Sequence, residues 1–164
     1  MTRLHTMLLG AVVLATSSGI GCHLEGEVVG SRGGTIVSDD GRFSVEIAAG
    51  ALDHDVEITI VTAPCGEMKG VAIGSCYEVG PRGTAFAFPA KVTFELDDDQ
   101  IDGISADELA LSGQRDENWS LLADRTVDID DGTISASATY LSSFAVIAVD
   151  ITAQPQARRD PAGE

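Results

Sequence analysis

The feature that most constrains this chain is a strict two-residue alternation of apolar and polar side chains, repeated in separate short runs. Phe43, Val45 and Ile47 alternate with Ser44 and Glu46; Val56, Ile58 and Ile60 alternate with Glu57 and Thr59. Val92, Phe94 and Leu96 alternate with Lys91, Thr93 and Glu95. A period of two places each apolar set on one face of an extended strand and leaves the other in water, as in antiparallel sheets. Turn signals separate the runs: Asp40-Gly41, Gly80-Pro81, Gly103 and Asp131-Gly132. Residues 127–129 and 133–138 flank Asp130-Asp131-Gly132 and predict a hairpin. Residues 109–111 and 119–122 predict another, across Gly113 to Asn118, and residues 144–149 an apolar closing strand. Ser105, with Glu108 three residues on, has capping-box spacing and predicts a turn of helix over 105–109. Many short strands at close spacing predict an all-β, single-domain antiparallel β-sandwich.

The N-terminus follows a different rule. Arg3 and the free amine precede an apolar run over residues 7–15, the length of a signal-peptide core. That run is short of the roughly 20 residues a spanning helix needs. Small residues follow, then Cys22. The arrangement resembles the lipobox of bacterial lipoproteins, whose cysteine is acylated and becomes the mature N-terminus. Ile20 and Gly21 fit it, while Gly19 stands where a leucine is usual. The resemblance implies a signal peptide over 1–21, lipid on Cys22, a lipidated tether over 22–32 and a place in a bacterial cell envelope. His23 stands where an aspartate accompanies inner-membrane retention in some bacteria, so the outer membrane is expected. An unlipidated chain would read as an ordinary secreted protein. Residues 152–164, polar with Pro155 and Pro161, predict a disordered tail.

Charge and cysteines narrow the function classes. A formal charge of −16 argues against nucleic acid, whose phosphates require lysine and arginine, and against adsorption to anionic headgroups. With Cys22 lipidated, two of the three cysteines remain, Cys65 and Cys76, and an exported chain predicts a disulfide between them that ties down residues 66–75.

Gly33-Gly34-Thr35-Ile36, followed by a run from Asp40 through Phe43 to Gly50-Ala51-Leu52, is similar to the opening of a ZU-five domain. This is the β-sandwich module of ankyrins, netrin-receptor tails and a zonula occludens protein. Ala48 and Ala49 replace the family's two prolines. Gly80-Pro81-Arg82-Gly83-Thr84-Ala85-Phe86, then Pro89, resembles its next landmark, with Phe86 expected to plug the core. The resemblance implies a ZU-five-like sandwich over residues 33–151. Some relatives cut their own backbone at His-Phe-Ser before the last strand, the serine attacking the preceding carbonyl with histidine assistance. Here Ser143, Phe144 and Ala145 fill those places. Alanine carries no nucleophile, which rules out that chemistry at this position.

Other sites are weak. Beyond the leader stand His23 and His54, the latter between Asp53 and Asp55 in an expected exposed turn, and no Gly-x-Ser-x-Gly elbow occurs. Asp97, Asp98, Asp99 and Asp102 gather before Gly103 and could in principle bind calcium. Counting Gly103 as position six of an EF-hand loop, however, puts Leu109 where the bidentate glutamate belongs. Asn118-Trp119-Ser120 matches a glycosylation sequon by chance, and Trp119 reads as a core or edge aromatic. The expected function is a non-enzymatic, lipid-anchored envelope module without cofactor, touching the membrane through its lipid and binding an envelope protein through acidic loops at 53–55 and 97–102. A calcium-dependent adhesive or stabilising sandwich, and an enzyme of unrecognised type, are the alternatives.

Overall fold

Each alternating strand must bury one face, and two sheets packed together let all of them do so. A computed structural model of the chain describes residues 26–149. In chain order the strands are β1 (Glu27–Val29), β2 (Gly34–Val37), β3 (Phe43–Ile47), β4 (Val56–Ala63), β5 (Val71–Gly80) and β6 (Ala85–Glu95). A short helix α1 (Asp98–Ile101) follows, then β7 (Leu109–Arg115), β8 (Asn118–Leu121), β9 (Thr126–Asp128), β10 (Thr133–Tyr140) and β11 (Ser143–Ala148). One sheet runs β1-β4-β5-β11-β7-β8 and the other β2-β3-β6-β10-β9. All pairs are antiparallel, and the result is the all-β sandwich that the alternation predicts.

The centre is aromatic. Phe43 lies opposite Phe94 in one sheet, and Tyr77 opposite Phe144 in the other. Across the interior Phe43 stacks on Tyr77 with centroids 4.9 Å apart and meets Phe94 edge-on at 4.7 Å. Val45, Ile58, Val79, Val92, Leu111 and Ile134 close the core around them.

Several elements differ from their expected form. Within the expected tether, β1 pairs with β4, and Val29 is buried. Three residues are too few to display a period. The leader, Cys22 and His23, and the tail over 152–164 lie outside the described residues. The helical turn forms at Asp98–Ile101 rather than over 105–109. Ser105 N–H and Oγ do donate to Glu108 Oε2, at 2.9 and 2.6 Å, but Leu109 is buried in β7 opposite Ala148, and sheet pairing prevails over a longer helix. The β7–β8 turn is tighter than expected and centres on Asp116 and Glu117. Gly113 stays in β7, where an added Cβ would come within 3.2 Å of Leu122 and 3.5 Å of Phe144. Phe86 packs against the core as expected but is only partly buried, because the inward row of β6 is fully buried only from Ala90 onward and Phe88 before it is exposed.

Cys65 and Cys76 form the expected disulfide, with Cα atoms 5.2 Å apart. Closing so short a loop stabilises the fold by about 3 kcal/mol through chain entropy. Residues 71–75, expected to be loose, already belong to β5, and 71–73 pair with β11. What the bond holds is the strap over 64–70. Gly70 lies against Ile147 of β11, and Glu67, Met68 and Lys69 share a hollow with Glu117 to Trp119. The strap therefore crosses the outer side of the six-stranded sheet toward β8. On that side Ala110, Ser112, Ala145 and Ile147 are all buried.

Candidate functional site

The register of β6 defines two ends of the sandwich. Its last residues lie beside the start of β3 and the β2–β3 turn, and its first beside Tyr140 at the end of β10.

The first end is closed by hydrogen bonds. Gly41 adopts φ +73°, which the tight β2–β3 turn requires. That turn leaves Asp40 exposed but sets its carboxylate against the Tyr77 hydroxyl. Asp40 Oδ1 accepts from Ser38 Oγ at 2.6 Å and from the Arg42 N–H at 3.1 Å, and Oδ2 accepts from Tyr77 Oη at 2.6 Å. Burial raises the Asp40 carboxyl, but these donors outweigh it and hold the group below its ordinary value. Burial first, then the carboxylate beside it, pushes Tyr77 up to about 12. The hollow here is about 190 Å³ and is bridged by Arg42 to Asp97 at 2.7 Å.

The expected acidic sites do not converge. Asp97 is taken by Arg42, while Asp98 and Asp99 occupy the first turn of α1 and are exposed, as is Asp102. Among the described residues no group of three or more His, Cys, Asp or Glu is arranged to hold a metal ion. Asp53 and His54 are exposed and paired with each other, and the ring nitrogen holds the Asp53 carboxyl below its usual range. That loop follows Leu52 at the other end of β6, where the Ala87 N–H donates to the Ala51 carbonyl. The two acidic loops therefore cannot form one contact surface. Ser143 and Phe144 are buried in β11, and Ala145 is fully buried opposite Ser112.

The second end is open. A cleft of about 690 Å³ lies between the turn at 80–84, the β7–β8 tip and the β10–β11 crossover. Backbone bonds fix its walls: the Gly83 N–H donates to the Leu141 carbonyl at 2.8 Å, and the Leu141 N–H to the Thr84 carbonyl at 2.9 Å. Arg82 Nη2 donates to Gln114 Oε1 at 2.6 Å, and Arg82 stands 3.7 Å from Glu78. The Arg115 guanidinium lies 5.2 Å from the centre of the Tyr140 ring, a cation–π contact. Ser142 Oγ donates to the Gln114 carbonyl. Asp116 and Glu117 complete the rim with φ of 47° and 66°. The cleft thus presents fixed donors, acceptors and an aromatic wall.

Sequence reasoning did not find this cleft. Arg82 sits inside the recognised Gly80-Pro81 turn, but Gln114 of β7, which it bonds, and Tyr140 of β10, which shares the cleft, lie more than thirty residues away along the chain. The one local signal was the predicted hairpin across Gly113 to Asn118, whose loop carries Asp116 and Glu117. No family model matches the chain, and no curated protein sequence matches it.

Proposed function

We propose that the chain is a non-enzymatic binding module of the bacterial cell envelope, ZU-five-like in its sandwich and held at the membrane by lipid on Cys22. The observation that carries the binding reading is the open cleft at the β7–β8 tip. Arg82 is held by Gln114, Arg115 lies on Tyr140, and backbone bonds fix the walls, so these groups have less freedom to lose when a ligand docks. Export has separate support from the Cys65–Cys76 bond, since structural disulfides persist in oxidising compartments. Stable anchoring takes two membrane signals, and the acyl chains of a lipobox cysteine supply them.

Cys22→Ser is expected to move the protein from the membrane fraction to a soluble one. Retention of the mutant in the membrane, or an intact mass without acyl groups, defeats the anchor. The binding half is tested by cross-linking in intact envelopes. One neighbour should be captured, and Arg115→Ala should lose it; capture indifferent to that change counts against the cleft.

A further inference from the structure

The cleft's chemistry narrows the ligand. Two cations, Arg82 and Arg115, and two anions, Asp116 and Glu117, line the cleft, with Arg82 also bonded to Gln114 and 3.7 Å from Glu78. A strongly anionic or cationic ligand would leave one sign opposed, and the −16 charge of the chain repels anions further. A neutral ligand rich in hydroxyls satisfies both signs, because each hydroxyl donates to a carboxylate and accepts from a guanidinium. The planar guanidinium fork suits two adjacent oxygens.

A second hollow of about 310 Å³, lined by residues 67–69 and 117–119, shares Glu117 with the first. It repeats the composition: one aromatic ring, Trp119, with Lys69 and Glu67 of opposite charge. Two like hollows joined at one residue suit a chain of repeating units better than a single small molecule.

The tip itself is strained. Two-residue hairpin turns with positive φ favour Asn-Gly, because a side chain with Cβ resists that conformation. Aspartate tolerates it; glutamate has no such local compensation. Glu117 nevertheless holds φ 66° at the junction of both hollows. Strain retained where a ligand would pass points to use of the side chain.

We propose that the two hollows that meet at Glu117 of the β7–β8 tip form a binding site for a neutral glycan chain, with Glu117 accepting from its hydroxyls at the junction. This rests on the binding-module reading and specifies its ligand. The test titrates the full chain by calorimetry with a β-linked N-acetylglucosamine tetramer and a neutral β-glucan hexamer, beside an oligogalacturonate and an acidic peptide. A neutral probe should bind with a Kd of about 1 mM or tighter. Glu117→Gly relieves the turn and is expected to raise the melting temperature by about 4 °C while weakening that binding about tenfold or more. A role confined to structure would not produce opposite shifts. No binding of either neutral probe overturns the proposal, as does binding of only the anionic probes, or neutral binding unchanged in Glu117→Gly. Capture of an envelope protein at the cleft without sugar binding would sink the glycan and leave the binding module standing.

Discussion

The two ends of the sandwich are built from similar residue types and solve opposite problems. At the β2–β3 end an acid, Asp40, meets an aromatic, Tyr77, and every oxygen of the carboxylate has a donor, although Asp40 itself lies at the surface over the buried Tyr77 ring. At the β7–β8 end, acids and an aromatic also meet, but Tyr140 is only half-buried, and Asp116 and Glu117 point no hydrogen bond of their side chains into the core. Polar groups closed into a network specify a structure, whereas polar groups left at an open rim remain available to a ligand. The difference lies in what stands behind them. Phe43, Phe94 and Phe144 back Tyr77, while the cleft is backed by turns and a strand crossover.

The largest expected effect tests the closed end. Phe43 touches three of the other aromatics and is 1% exposed, so Phe43→Ala opens a cavity no neighbour can fill. Denaturant unfolding should show a loss of about 3–5 kcal/mol. A loss below about 1 kcal/mol would mean that this end is not the rigid half of the comparison.

Alkaline pH gives a finer test of the same end. Tyr77 is held protonated up to about 12, against an ordinary 10.0 for the unfolded chain. Stability from this group is therefore complete below pH 10 and is lost as pH rises toward 12. Its loss across that interval lowers stability as the phenol ionises, because the folded state holds the proton more tightly than the unfolded chain. Asp40 acts with the opposite sign: its contribution is present above its unfolded value of 3.8 and fades as acid titrates it. Tyr77→Phe should flatten the alkaline loss, read from urea midpoints at pH 9 and 11. An unaltered loss in the mutant would place its origin elsewhere.

The closed end was largely legible in the sequence, and the open end was not. Phe43 and Phe94 stand in alternating runs, so their inward direction follows from parity, whereas Phe144 stands in a wholly apolar run that marks a buried strand without saying which face it takes. Asp40-Gly41 announced its own turn. Tyr77 lay in a Gly-rich stretch without alternation, because β5 is bulged against β11 between residues 73 and 77 and a bulge erases the period. The cleft brings together 82, 114–117 and 140–142, and neither alternation nor spacing reports which strand ends become neighbours when the chain crosses between sheets. The β7–β8 turn concealed itself further by using Asp116-Glu117 where glycine or asparagine is the usual signal.

The smallest expected effect falls at the open end. Arg115 has no ion-pair partner among the described residues, and its exposed contact with Tyr140 contributes about 0.5–1 kcal/mol. Arg115→Ala should therefore shift the denaturation midpoint slightly, several times less than Phe43→Ala. If the cleft is a preorganised ligand surface, the same change should remove a larger share of binding than of stability, because the guanidinium is lost as a donor while the strands behind it stay paired. Melting and ligand titration on one sample separate these quantities. Should Arg115→Ala unfold the protein as readily as Phe43→Ala, the Arg115–Tyr140 contact would be a structural clamp, and the contrast between a closed and an open end would collapse.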